Sequence, residues 1–199
     1  MLTDPAHERD RIEKEDIMTT IDRNVEAPAD GGAKPTRRQN AEKGFTASKD
    51  LIANMQRVHV DLIELHLQGK QAHWNVVGKN FRDLHLQLDE IVEEAREFSD
   101  TVAERLRALH AVPDGRSDTV AATTSLPEYP NGEIDTATTV DLITQRLEAT
   151  VGTMREVHDD VDEADPTSAD ILHAIIERLE QFAWMVSAEN RTPAAGKKR

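Results

Sequence analysis

Four separate stretches of this chain repeat their apolar residues at steps of three and four, and this periodicity restricts the fold more than any other feature. Such spacing places apolar side chains along one side of an α-helix. It predicts helices at about residues 47–73, 80–110, 137–163 and 168–190. The clearest repeats are Leu51, Met55, Val58, Leu62 and Leu65 in the first stretch and Ile171, Leu172, Ile175, Ile176, Leu179 and Phe182 in the last. An aromatic content of only 4% also favours an all-α protein.

Turn-forming residues separate these helices. Gly78 marks a short turn after the first helix, and Pro113-Asp-Gly115 ends the second. Ala164-Asp-Pro166 breaks the third helix, so we expect Thr167 or Ser168 to cap the fourth.

The longest connection, at 111–135, joins the second and third helices and contains Pro127, Pro130 and Asn131-Gly132. It predicts a crossover with one short helix. An up-down-down-up bundle of this kind is the ferritin-like arrangement, and any other four-helix bundle is the alternative.

The ends of the chain differ from the bundle, which we place at residues 45–190. Residues 1–44 are polar and predict a flexible tail, because they bury too little apolar surface to offset their ordering entropy. Within this tail, Asp4-Pro5 favours a short helix at about 5–18. Residues 191–199 form a short basic tail. No apolar run approaches the ~20 residues of a membrane span, and the N-terminus lacks the apolar middle of a signal peptide, so we expect a cytoplasmic protein.

The residue types limit the chemistry. The chain has no Cys, so His, Asp and Glu must hold any metal ion, and these ligands suit iron, zinc or manganese. The net charge of −14 attracts cations and repels nucleic acid.

The second predicted helix carries a stripe of metal-ligand types. Relative to His85, Asp89 lies at about 40° and Asp100 at about 60° around the helix, and Glu104 lies at about 100°. His73 ends the preceding helix near the start of this stripe. A solvated acidic face is the alternative interpretation.

Distance shows what the stripe requires. Asp89 and Asp100 are roughly 16 Å apart along a straight helix, whereas donors to one ion lie within about 4 Å of each other. One helix therefore cannot present both to one ion. Two antiparallel copies related by a two-fold axis can, and they generate two equivalent sites.

The surrounding motif resembles a known family. The string H-W-N-V-x-G-x-x-F-x-x-L-H-x-x-x-D at 73–89, followed by S-D-T-x-A-E-R at 99–105, is similar to the signature of the Dps mini-ferritins, particularly actinobacterial members. Tyr129-Pro130, Ser168-Ala-Asp-Ile-Leu172 and Phe182-Ala-Trp184 extend the resemblance, which covers about residues 48–190.

The resemblance implies a shell of twelve subunits that oxidises Fe²⁺, preferably with hydrogen peroxide, and stores the ferric product. It implies that His73, His85 and Asp89 of one subunit bind iron together with Asp100 and Glu104 of another. Trp74, beside the first ligand, is expected to pack at the interface, and a role as an electron donor is the alternative.

Three further groups of residues have metal-ligand side chains. A di-iron centre inside one bundle needs Glu-x-x-His, and the nearest match is Asp170-x-x-His173. His59, His66 and His73 follow one another at steps of about 10 Å along the first helix, so packing is favoured over one shared ion.

The resemblance places an iron pore near the end of the third helix, for which the candidates are Asp159, Asp160, Asp162 and Glu163. An exposed acidic helix end is the alternative for each pore candidate.

DNA binding is the second function that the resemblance implies, as a shell that packs the nucleoid. An acidic shell needs basic tails for this, and the C-terminal candidates are Arg191, Lys197, Lys198 and Arg199. Lys34, Arg37, Arg38 and Lys43 are N-terminal candidates. We expect the intact protein to retard DNA in a gel at low salt and a chain lacking residues 191–199 to retard it less; no retardation by the intact protein contradicts this function.

Overall fold

The computed structural model describes residues 45–193 of the chain. Its helices and strands, in chain order, are α1 (Lys49–Asn75), β1 (Val76–Val77), α2 (Phe81–Ala108), α3 (Ser117–Thr123), β2 (Ile134–Asp135), α4 (Thr136–Ala164) and α5 (Pro166–Ala188). The four long helices and the long connection between α2 and α4 confirm the predicted ferritin-like bundle, and α3 is the predicted helix of the crossover. The predicted tail at 1–44, with its helix at 5–18, lies outside the described residues.

The predicted apolar stripes form one continuous core between the four long helices. Met55, Leu88, Leu147 and Leu179, one from each long helix, have no exposed surface. No helix in the described part of the chain is both long enough and apolar enough to span a membrane.

The start of α5 corrects one prediction. Asp165, rather than Thr167 or Ser168, is the N-cap, and Pro166 occupies the first turn. Proline suits this position because its fixed φ matches a helix and its missing N–H would have had no partner there. The Asp165 carboxylate accepts hydrogen bonds from Arg105 Nη2 and Ser168 Oγ, each at 2.5 Å, and thereby ties the α4–α5 turn to α2.

A short parallel pairing joins the two turns near one end of the bundle. Val76 pairs with Ile134 and Val77 with Asp135, so the α1–α2 turn lies against the start of α4. Gly78 follows with a φ of 124°, which confirms the predicted turn. A side chain larger than hydrogen is strained at this φ.

Two buried charged residues anchor the crossover to the bundle. Asp61 of α1 is 1% exposed and accepts hydrogen bonds from Thr124 Oγ1 at 2.9 Å, Ser125 N at 2.7 Å, Ser125 Oγ at 2.6 Å and Thr153 Oγ1 at 2.7 Å. These donors satisfy the carboxylate, and no cationic side chain among residues 45–193 forms an ion pair with it.

Arg146 of α4 is the second anchor and is also 1% exposed. Its guanidinium donates to Gln68 Oε1 at 2.6 Å and to the carbonyl oxygen of Glu128 at 2.8 Å, and it lies 5.0 Å from the ring centre of Tyr129. Buried charges are costly unless hydrogen bonds compensate them, so these two groups fix the path of the crossover.

Replacing Asp61 with Ala should lower the free energy of unfolding by about 3 kcal/mol, because it strands several buried donors. Urea unfolding measures this loss. Asp141→Ala is the matched control, since Asp141 is exposed and accepts one hydrogen bond, from Asn190 Nδ2 at 2.8 Å. Equal losses in the two variants contradict the anchoring role.

Candidate metal centre

The last turn of α1 and the start of α2 bring two histidines face to face. The rings of His73 and His85 stack with their centres 3.7 Å apart and their planes 22° from parallel. His73 is buried, and His85 is half-buried. The stack lies directly beside the α1–α2 turn, which β1 and Gly78 hold in place.

Each ring is oriented by the backbone of the other helix. His73 Nδ1 donates to the carbonyl oxygen of His85, and His85 Nδ1 donates to the carbonyl oxygen of His73, both at 3.0 Å. A carbonyl oxygen only accepts, so both Nδ1 atoms carry the hydrogen and both Nε2 atoms keep a free lone pair. A metal-binding histidine commonly has this arrangement, in which the second ring nitrogen donates to a fixed acceptor.

Asp89 adds an oxygen ligand one turn beyond His85. His73, His85 and Asp89 each offer a ligand atom, and these three atoms lie within 4.8 Å of one another. They are the only such group of three or more found among residues 45–193. The structure therefore brings together the three residues that we predicted for one subunit.

Lys70 forms an ion pair with Asp89. Its Nζ lies 2.5 Å from Asp89 Oδ1. The hydrogen bond from this ammonium holds the pKa of Asp89 below its ordinary value, and His73, 3.3 Å away, acts in the same direction. The carboxylate is thus negative and available to a cation throughout the neutral range.

A small residue allows the two helices to approach. A Cβ atom at Gly69 would lie 2.9 Å from Val92 Cγ2, closer than a carbon contact permits. Gly69 lies one turn before His73, so the contact that it allows holds the two histidines within reach of each other's backbone.

Asp100 and Glu104 are exposed on α2 and are not part of this group. Asp100 and Asp89 instead border one groove of about 980 Å³ between α1 and α2. Glu104 lies one turn further along the helix.

His59 and His66 border the same groove but belong to no metal-binding group in the described part of the chain. His59 is buried, its Nδ1 donates to the carbonyl oxygen of Ser99 at 3.1 Å, and burial lowers its pKa. Burial and then the nearby Arg96 lower the pKa of His66.

Known proteins resemble both the sequence and the structure. The ferritin-like domain family matches residues 52–192. DNA protection during starvation protein 2 of Deinococcus radiodurans is 35% identical over 70% of this chain, which spans 58% of that relative, somewhat under two thirds. DNA protection during starvation protein of Agrobacterium fabrum is 33% identical over 77% of this chain and 95% of its own length. The solved structure of Dps from Microbacterium arborescens in the high iron form has a TM-score of 0.68 and 32% identity, covering 73% of this chain and 98% of that one.

The chain belongs to the Dps family of ferritin-like proteins.

The remaining predicted Dps residues lie elsewhere in the structure. Asp159, Asp160, Asp162 and Glu163 are all exposed near the end of α4. Arg191 is exposed just beyond α5, and Lys197, Lys198 and Arg199 lie outside the described residues.

Sequence reasoning missed Lys70 at this candidate centre. Its position three residues before His73 places it on nearly the same side of α1, and that spacing was the available signal. Its pairing with Asp89 depends on the α1–α2 contact, which no local pattern reveals.

Because Lys70 competes with a bound metal for Asp89, Lys70→Met should tighten Zn²⁺ binding at neutral pH. The gain should be about fivefold, since an exposed ion pair contributes at most about 1 kcal/mol. Calorimetric titration measures it. Lys79→Met, which removes an exposed lysine of the α1–α2 turn, should leave the affinity unchanged; equal affinities in the wild type and Lys70→Met contradict the competition.

Proposed function

We propose that this chain is the ferroxidase and iron-storage subunit of a shell of twelve copies. Each site oxidises Fe²⁺ and takes His73, His85 and Asp89 from one subunit with Asp100 and Glu104 from a second. The observation that carries the proposal is an incomplete metal centre. His73, His85 and Asp89 converge, while the other two carboxylates lie further along α2 and outside this group.

The donor set fits iron. Two imidazoles and a carboxylate form a ligand combination typical of Fe²⁺ sites that leave other positions open. Asp100 and Glu104 from a partner would fill open positions with anionic oxygen. Such oxygen ligands favour Fe³⁺ over Fe²⁺ and therefore favour oxidation.

Exposed apolar side chains beside the centre support a contact with a second copy. Leu67 and Trp74 lie seven residues apart on α1 and are 47% and 68% exposed. Phe81 and Leu86, on α2, are 43% and 47% exposed. Apolar residues gathered around a polar site commonly mark a protein–protein interface. An antiparallel pairing of two α2 helices would cover them and bring Asp89 of one copy to Asp100 of the other.

The residues around the substrate ion have distinct roles in this proposal. The two Nε2 lone pairs and the Asp89 carboxylate bind Fe²⁺. The reciprocal hydrogen bonds keep both rings in the binding tautomer, so neither ring has to change its tautomer when the ion arrives. Lys70 neutralises Asp89 until an iron ion replaces it.

Hydrogen peroxide is the oxidant that we propose. Two Fe²⁺ ions each give one electron to one H₂O₂, its O–O bond breaks, and both oxygens are reduced to the level of water. With two further water molecules the products are two FeOOH units and four protons. Taking both electrons at one site avoids hydroxyl radicals. The relative from Microbacterium arborescens, solved in a high iron form, supports iron as the stored metal.

The acidic end of α4 is the proposed route for iron. Asp159, Asp160, Asp162 and Glu163 are exposed on the last turns of this helix. Carboxylates collected around a shell opening would concentrate Fe²⁺ locally.

DNA protection is the second proposed function, and it is favoured by the names of the relatives from Deinococcus radiodurans and Agrobacterium fabrum. Arg191 is exposed and begins the basic C-terminal segment. Several copies on one shell would bind DNA together even if each contact were weak. We place the protein in the cytoplasm, associated with the nucleoid.

Complementation between inactive subunits tests whether the centre is shared. His73→Ala and Asp100→Asn should each abolish peroxide-driven Fe²⁺ oxidation, measured by the growth of ferric absorbance. In a mixed dimer, one site carries both defects and the other carries neither. Unfolding and reassembling equal amounts of the two variants should therefore restore about a quarter of the wild-type sites.

A matched mixture separates shared sites from sites within one chain. A mixture of the single variants His73→Ala and His85→Ala should stay inactive. Both histidines come from the same subunit of each site, so every site in a mixed dimer lacks one of them. Activity restored only in the first mixture supports the shared centre. A first mixture as inactive as its parents rules it out, provided that gel filtration shows assembled protein.

A further inference from the structure

Two more histidines meet on the other pair of helices. His158 lies seven residues before Asp165 and His173 eight residues after it. Since α4 and α5 run antiparallel from the turn at Asp165, this near-equal spacing places the two side chains at the same level. Their Nε2 atoms are 2.6 Å apart, and their ring centres are 4.7 Å apart.

A neighbouring carboxylate orients the ring of His158. His158 Nδ1 donates to Asp159 Oδ1 at 3.0 Å, which leaves the lone pair of His158 on Nε2. Asp170 Oδ1 lies 3.8 Å from His173 Nδ1, beyond hydrogen-bond distance, so the ring of His173 is free to present either tautomer. At this distance only one of the two Nε2 atoms, which are 2.6 Å apart, can carry a hydrogen, so either that hydrogen or a metal ion lies between them. This carboxylate–histidine pattern is typical of metal ligands.

A third donor lines the same cavity as the pair. Glu177 is one turn after His173 on α5, and it borders a cavity of about 430 Å³ together with both histidines. Its carboxylate does not lie within 4.8 Å of both ligand nitrogens, so its exposed side chain must turn toward them to complete a site. Glu180 also lines the cavity, but Arg155 pairs with it. Glu177 forms no ion pair with any residue between 45 and 193, so its carboxylate is available.

We propose that His158, His173 and Glu177 bind a divalent first-row transition metal at a site separate from the centre between α1 and α2. The two nitrogens must separate to about 3 Å to bind one ion with bonds of about 2 Å. His173 can make this small movement because its side chain is 58% exposed. Two imidazoles with one carboxylate suit Zn²⁺ and Fe²⁺, and Asp159 acts as a positioning residue for His158.

The site is tested with Zn²⁺ on the full-length protein. His73→Ala combined with Asp89→Asn removes the first centre, and this background should retain about one Zn²⁺ per chain. Adding His158→Gln or His173→Gln should abolish that binding, measured as metal remaining after gel filtration. Both histidines are on the surface of the chain, so circular dichroism should show unchanged helix content.

Three carboxylate variants refine the test. Glu177→Gln should weaken Zn²⁺ binding at least about tenfold, and Glu148→Gln, which removes an exposed carboxylate elsewhere on α4, should not. Asp159→Ala should weaken binding by about 10-fold to 100-fold, because it removes the acceptor that orients the tautomer of His158.

The outcomes of the two proposals are distinguishable. If the background variant binds no Zn²⁺, or binds it equally well with His173→Gln, the second site is ruled out. The histidines are then bridged only by the Nε2–H of His173. Zn²⁺ that binds the wild type and is wholly lost in the background supports the first centre while excluding the second. Zn²⁺ retained in the background and lost with His173→Gln establishes the second site, whatever the first centre does.

Discussion

The close contact of α1 with α2 is the constraint on which the candidate centre depends. An imidazole on one helix reaches the backbone of the other only when the two helices approach closely, and here both His73 and His85 do so. Gly69 permits that approach, since a Cβ atom there would lie 2.9 Å from Val92. Helix packing thus sets the tautomer of both rings, and the tautomer sets which nitrogen can bind a metal.

The crossover extends this constraint through the bundle. The pairing of β1 with β2 holds the α1–α2 turn against the start of α4. Asp61 and Arg146 fix the crossover that leads to β2, each through hydrogen bonds to several groups. A buried charge surrounded by oriented partners tolerates little movement. The polar anchors therefore restrain the turn that carries the two histidines, although neither touches them.

Periodicity was sufficient to predict the helices, which the structure confirms. Helical geometry with a distance limit gave the shared centre, which stays a prediction. The remaining features depend on tertiary contacts. Charged residues are rarely buried, so nothing local marked Asp61 or Arg146 as anchors. The proline at 166 was interpreted as ending one helix, when it also begins the next. The pairing of Lys70 with Asp89 depends on the α1–α2 contact and has no local signal. The near-equal spacing of His158 and His173 on either side of Asp165, by contrast, can be read from the sequence.

The two proposed metal sites differ in what completes them. The first has three ligands from one chain and needs two from another, so its affinity for metal includes the free energy of subunit association. The second takes its ligands from α4 and α5 of a single chain. Metal binding at the first site must favour association to the same extent that association favours metal binding, because the two equilibria are linked. The second site has no such requirement. If both proposals hold, the second site can bind a metal ion before the chain assembles, whereas the proposed oxidation at the first site requires the dimer.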